Sequence, residues 1–121
     1  RVVAHDGDGG VTTVELTSGI PVSIPLASER PVGSRLTLAI RAEDILVSIE
    51  PVRGLSARNV YPARVTALVR TGVDITLSCS VGEVPDANWL TRLTPAAVEA
   101  LGIEAGSAVW LAVKSHSIRL I

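Results

Sequence analysis

"GSRLTLAIRAEDI" occupies Gly33–Ile45, and "GSAVWLAVKSHSI" occupies Gly106–Ile118. The two stretches align without a gap. Both open on Gly-Ser, both place Leu-Ala at the centre, and both close on Ile. Leu36 matches Val109, Ile40 matches Val113, and Arg41 matches Lys114. Working outward, "RVVA" at Arg1 echoes "RVTA" at Arg64, and "VEL" at Val14 echoes "ITL" at Ile75. A pattern written twice is the mark of a repeated supersecondary unit.

The units are β-rich. Val, Ile and Thr are abundant, and Gly or Pro interrupts the chain every several residues, as in short strands of a barrel or sandwich. Strands are expected near Val2–His5, Val11–Leu16, Ile20–Ile24, Leu36–Arg41 and Ile45–Ile49. The second half gives Tyr61–Arg70, Asp74–Val81, Ala87–Leu93, Ala108–Lys114 and Ile118–Ile121. "HDGDGG" and "RTGVD" read as hairpin turns. One short helix is expected in "LTPAAVEALGIEAG", with Thr94 as N-cap, Pro95 in the first helical position and Gly102 just past the end. The corresponding "PLASERPVG" has no such pattern. The reading is an all-β chain with one short helix, built as tandem OB-like small β-barrels, residues 1–53 and 54–121.

Composition bounds the rest. The chain has 121 residues, 47% of them hydrophobic, yet it lacks Phe, and its aromatics are Tyr61, Trp89 and Trp110. The core must therefore be aliphatic, with the tryptophans read as core or interface residues. A net charge of −1 and so few stacking groups argue against nucleic acid as a partner. No apolar run reaches the ~18 residues of a membrane helix, and no leader pattern opens the chain. With Arg1 first and no methionine, the chain reads as a cytosolic piece of a longer protein. Cys79 is the only cysteine, so no internal disulfide forms, and a strand position suits a buried, inert thiol.

Catalysis is poorly supported. His5 and His116 have no evident nucleophile partner, and no Walker A loop or nucleophile elbow is present. "DGDGG" lacks the later ligands of a calcium loop, so it is read as a turn and not as a metal site. No cofactor or metal cation is expected. The unusual stretch is "GLSARNVYP" (Gly54–Pro62), a polar island among aliphatic strands. Ser56 and Arg58 there, Thr94 at the helix start, and Lys114 with Ser115 at a strand end are the kinds of group a tetrahedral oxyanion needs. A dianion about 4 Å from one cation gains roughly 8 kcal/mol gross at an effective dielectric near 20, before desolvation. On residue chemistry alone, Arg58 and Lys114 read equally as solvated surface charges.

"SARNVYPARVTAL", "LTPAAVEALGIEAGSAVWLAVKSHSI" and "LAIRAEDILVS" together resemble the C-terminal Mop/TOBE regulatory region of molybdate (tungstate) ABC transporter ATP-binding subunits. The resemblance covers nearly the whole chain, and it is more specific from Ser56 onward. It implies OB-like domains in tandem, a homodimer or higher homo-oligomer, and molybdate or tungstate held at a subunit interface. Carried over, Ser56, Ala57 and Arg58 face Lys114 and Ser115 across that interface, with Thr94 nearby. It also implies trans-inhibition, partnership with transporter membrane subunits through the parent chain, and a cytoplasmic place at the inner membrane without insertion. Arg41 stands where the second copy has Lys114, but Glu43 and Asp44 follow it, so the first copy is expected to be structural. The alternative reading is a dimerisation module with no ligand of its own.

Overall fold

The computed structural model describes residues 1–82 and 88–121. The first half contributes β1 (Val2–Asp6), β2 (Val11–Glu15), β3 (Pro21–Pro25), β4 (Leu38–Ile40) and β5 (Leu46–Ser48). The second contributes β6 (Asn59–Thr71), β7 (Asp74–Val81), β8 (Asn88–Leu93), α1 (Pro95–Leu101), β9 (Ala108–Val113) and β10 (Ile118–Leu120). The expected strand start at Ala87 lies outside the described residues. Helix α1 begins as its sequence dictates: Thr94 Oγ1 accepts the Ala97 N–H at 3.1 Å, satisfying one orphan donor of the first turn.

The sequence missed two tight 3-10 turns, Ala42–Asp44 and Ser115–Ser117. They fill the gaps left between the strands expected to end at Arg41 and Lys114 and those expected to begin at Ile45 and Ile118. Each turn separates two strands and sends the second in a new direction, and the two turns are alike. Arg41 and Lys114 enter them with φ/ψ of −72/137° and −70/143°.

The strands form three sheets, β1-β2-β3, β10-β4 and β5-β9-β6-β7-β8. Their register proves the repeat. Gly33 N–H donates to Val2 O at 2.8 Å, and Gly106 N–H donates to Val65 O at 2.7 Å. Val2 and Val65 donate in return to Ser34 O and Ser107 O, each at 2.9 Å. Both glycines have φ of +92°, a left-handed conformation that a side chain would strain. "RVVA" and "RVTA" are thus equivalent, and a register shift follows Val2 and Val65 alike. The pairing of "VEL" with "ITL" does not survive. Val2 lies opposite Val14, but Val65 lies opposite Cys79, so Val14 corresponds to Cys79. The β6–β7 hairpin is longer than β1–β2, and the extra residues at its tip displace any count made from the turn.

The repeat also exchanges strands. β10 pairs with β4, and β5 pairs with β9, both antiparallel. Arg119 lies opposite Ala39 and Leu120 opposite Leu38, just as Leu46 lies opposite Ala112 and Val47 opposite Leu111. By the repeat alignment β4 corresponds to β9 and β5 to β10. Strands on opposite sides of residue 53 therefore pair reciprocally, about a pseudo-two-fold axis. The result is a tandem of OB-like curled sheets over one aliphatic core. Val14, Val22 and Ile24 of the first half meet Val65, Leu77, Leu111 and Ile118 of the second. Tyr61 and Trp89 pack edge to face against it, ring centroids 5.1 Å apart. Cys79 is fully buried there, and burial pushes its thiol pKa up to about 11, which keeps it inert. Among the described residues no helix is long and apolar enough to cross a membrane.

Candidate functional site

The segment Ser56–Asn59 alternates in exposure: Ser56 and Arg58 lie open, while Ala57 and Asn59 are buried. An extended chain turns successive side chains to opposite faces, so Ser56 and Arg58 share the solvent side. Asn59 then opens β6 opposite Val113, the last residue of β9. Arg58 and Lys114 consequently leave the same end of one ladder as backbone neighbours within a single chain. A short antiparallel pairing thus sets the two segments side by side in one chain.

Arg58 is drawn back onto its own loop. Its Nη2 donates to Leu55 O at 2.5 Å and its Nε to Ser56 O at 3.3 Å. A guanidinium carries five N–H donors, so three remain after these bonds. Lys114 is exposed and Ser115 half-buried. Ser115 Oγ donates to Ser23 Oγ on β3 at 3.2 Å. A shallow pocket of ≈ 260 Å³ beside this contact is lined by Ser23, Arg58, Asn59 and Tyr61 among others.

Asn59 fixes the floor. It is 3% exposed. Its Oδ1 accepts the Ser23 N–H at 2.7 Å, and its Nδ2 donates to Ser23 O at 2.8 Å. One side-chain amide thus serves Ser23 as a neighbouring strand would. The Tyr61 hydroxyl donates to Pro21 O at 2.7 Å and lies 3.1 Å from Asn59 Oδ1. Burial pushes the Tyr61 pKa up to about 12. Sequence reasoning overlooked Ser23 and the clamping role of Asn59. An amide between buried Ala57 and a long strand was the available signal, because a buried polar group must find partners.

Thr94 is not brought to this cluster. It follows Leu93, which pairs through Ile75 with Arg70, and Asn59 lies at the other end of β6. Its Oγ1 accepts from Ala97 N–H, leaving the hydroxyl proton free to donate.

The remaining candidates fall elsewhere. His5 bridges Thr12 Oγ1 at 2.8 Å and Arg30 O at 2.7 Å, tying β1 to the loop after β3. In the "HDGDGG" turn, Asp6 Oδ1 accepts the Gly9 N–H at 2.9 Å. Among the described residues no cluster of three or more His, Cys, Asp or Glu forms a metal site. In the first half, Arg41 is exposed, as Lys114 is, but Ala42 replaces Ser115 and Glu43 replaces His116. Glu43 pairs with Arg92 at 3.5 Å. Two carboxylates close behind Arg41 oppose any dianion there.

Comparison with known proteins adds to this geometry. The TOBE domain family model matches residues 55–120. Over 120 residues the chain is 32% identical to a molybdenum import ATP-binding protein ModC of Paramagnetospirillum magneticum, covering 97% of this chain and 31% of the relative. It is 35% identical over 114 residues to ModC 1 of Bradyrhizobium diazoefficiens, covering 90% of this chain and 30% of the relative. It is 27% identical over 103 residues to the molybdate/tungstate import ATP-binding protein WtpC of Pyrococcus abyssi, covering 85% of this chain and 28% of the relative. The chain thus spans under a third of these curated relatives. Among solved structures, the cytoplasmic molybdate-binding protein ModG, with molybdate bound, superposes with a TM-score of 0.78 at 19% identity. That match covers 91% of this chain and 82% of ModG, and it establishes a shared fold.

Proposed function

The chain belongs to the TOBE domain family, and on that premise we propose that it is an oxyanion-binding regulatory domain of a molybdate or tungstate importer's ATP-binding subunit. The observation that carries this reading is the convergence of the Arg58 and Lys114–Ser115 segments at one end of the β6–β9 ladder, beside a pocket that Arg58 lines. Its relatives are named for molybdenum or tungstate import, and its structural neighbour was solved with molybdate.

The chemistry follows from charge and donor count. A tetrahedral dianion entering beside Arg58 meets two cationic side chains and the hydroxyls of Ser56 and Ser115. The free donors of Arg58 turn to it, with the Leu55 and Ser56 carbonyls still holding the other edge of the guanidinium. Ala57 anchors the loop by burial. Thr94, at the other end of β6 in its own chain, joins from a second copy, so the site is complete only in a homo-oligomer. Occupation then alters how two copies sit together, which suits feedback inhibition of transport by internal oxyanion. In this reading residues 54–121 form the ligand-holding unit and 1–53 the supporting one. The domain works in the cytoplasm, peripheral to the inner membrane, and partners the membrane subunits through its parent chain. Hydrolysis of ATP belongs to the part of the relatives beyond this match.

A second reading, a dimerisation module without ligand, draws on the exposed apolar residues Leu46 and Leu90 of the sheet's two edge strands, β5 and β8. Calorimetric titration with molybdate, tungstate and sulfate separates the two. The wild-type chain takes up the first two anions. Arg58→Glu abolishes uptake by replacing an attraction with a repulsion, and leaves the mass by light scattering unchanged. A folded wild-type chain that gives no heat and no thermal shift at millimolar molybdate refutes the oxyanion site.

A further inference from the structure

We infer that Ser23, on β3 of the first half, is a ligand-facing hydroxyl of the oxyanion site borne by the second half. The inference rests on the function proposed above and concerns how that site is completed. Ser115 Oγ donates to Ser23 Oγ, and the Ser23 hydroxyl proton is given to no other group among the described residues. Ser23 and Arg58 line the same pocket. The position of Ser23 is fixed from both sides of its peptide by the Asn59 amide. Asn59 is the residue after Arg58, so cation and hydroxyl are held in register by one side chain. Such pre-positioned donors suit an anion that must be recognised by geometry as well as charge.

The molecule contains its own control. Val2–Val14 corresponds to Val65–Cys79, and Val14 pairs with Val22 as Cys79 pairs with Trp89. Val22 thus corresponds to Trp89, and Ser23 to Leu90. Ser115 corresponds to Ala42 through the aligned repeat. Both hydroxyls are absent together from the copy where Glu43 and Asp44 stand behind Arg41. In their place is an apolar groove of ≈ 350 Å³ lined by Leu38, Ile40, Ala42, Trp89 and Leu90 among others. Serine has no strand propensity to recommend it on β3, and a leucine is accommodated at the matching position. The hydroxyl at 23 therefore goes with the cationic, hydroxyl-bearing copy of the site. The anion would be read by both halves of the chain at once.

Ser23→Ala and Ser23→Thr, titrated with molybdate and sulfate beside Ser115→Ala, test this. Loss of one hydrogen bond to a charged ligand weakens binding roughly tenfold or more. Ser23→Ala is expected to lose molybdate affinity by about that factor while the ligand-free Tm moves by no more than ~2 °C. Ser23→Thr, which keeps the hydroxyl, is expected to stay within about threefold of wild type. If Ser23→Ala binds like wild type while Ser115→Ala is impaired, the inference fails and the proposed function stands. If the threonine variant is as poor as the alanine variant, or the alanine variant is strongly destabilised without ligand, the hydroxyl is structural and the inference fails. If the wild-type chain binds no oxyanion, the functional reading fails and takes the inference with it.

Discussion

Replacing Asn59 by alanine should destabilise the chain by about 3 kcal/mol. The side chain is 3% exposed and makes two hydrogen bonds to the peptide groups of Ser23, at 2.7 and 2.8 Å. Each lost bond leaves a part-buried backbone group without its partner, at ~1–1.5 kcal/mol apiece, and the missing amide adds a small void. Unfolding entropy near 2.1 cal/mol/K per residue gives about 0.25 kcal/mol/K for a chain of 121 residues. The loss therefore corresponds to a fall in Tm of ~12 °C. Urea denaturation followed by far-UV circular dichroism should show a lower midpoint with an unchanged m-value. Molybdate affinity should fall too, because Asn59 holds Ser23 in register with Arg58. A destabilisation below about 1 kcal/mol would refute the reasoning: water, not the amide, would then be sufficient to satisfy the outer edge of β3.

Two further outcomes follow from the core. Leu111 is completely buried on β9 between β5 and β6, so Leu111→Ala should cost ~2–5 kcal/mol. Its repeat counterpart Leu38 is only half-buried, and Leu38→Ala should cost visibly less in the same denaturation experiment. Alkali should unfold the chain through Cys79 and Tyr61. Their folded pKa values are raised from 9.0 to about 11 and from 10.0 to about 12. Both groups stay neutral in the folded state after they ionise in the unfolded one. Stability is thus full below pH 9 and is lost as pH rises toward 12; Cys79→Ala should flatten the lower part of that decline in a pH series of melts.

Much of this architecture was legible because local chemistry and tertiary context agree. The Thr94-Pro95 start and Gly102 end specify α1 regardless of what it packs against, and the gapless match of Gly33–Ile45 with Gly106–Ile118 revealed the duplication. The exchange of β5 and β10 was not legible. Strand patterns state which face is buried but not which neighbour supplies the ladder, and the two 3-10 turns that redirect the chain carry no glycine or proline to announce them. The same limit applies to the proposed site. Ser56, Arg58, Lys114 and Ser115 were visible as chemistry on short motifs. Ser23 was invisible, since only the fold brings a lone serine on β3 to the start of β6.

The reciprocal strand exchange has a consequence for how this chain can be divided. Severing it at residue 53 would leave β4 without β10 and β9 without β5, so each fragment would carry an open ladder complementary to the other's. Two such pieces are halves of a clasp, not beads on a string. They would reassociate in trans, and neither would melt with the transition of the whole. A push delivered to either half is for the same reason transmitted to the other through hydrogen-bonded strands rather than through a linker.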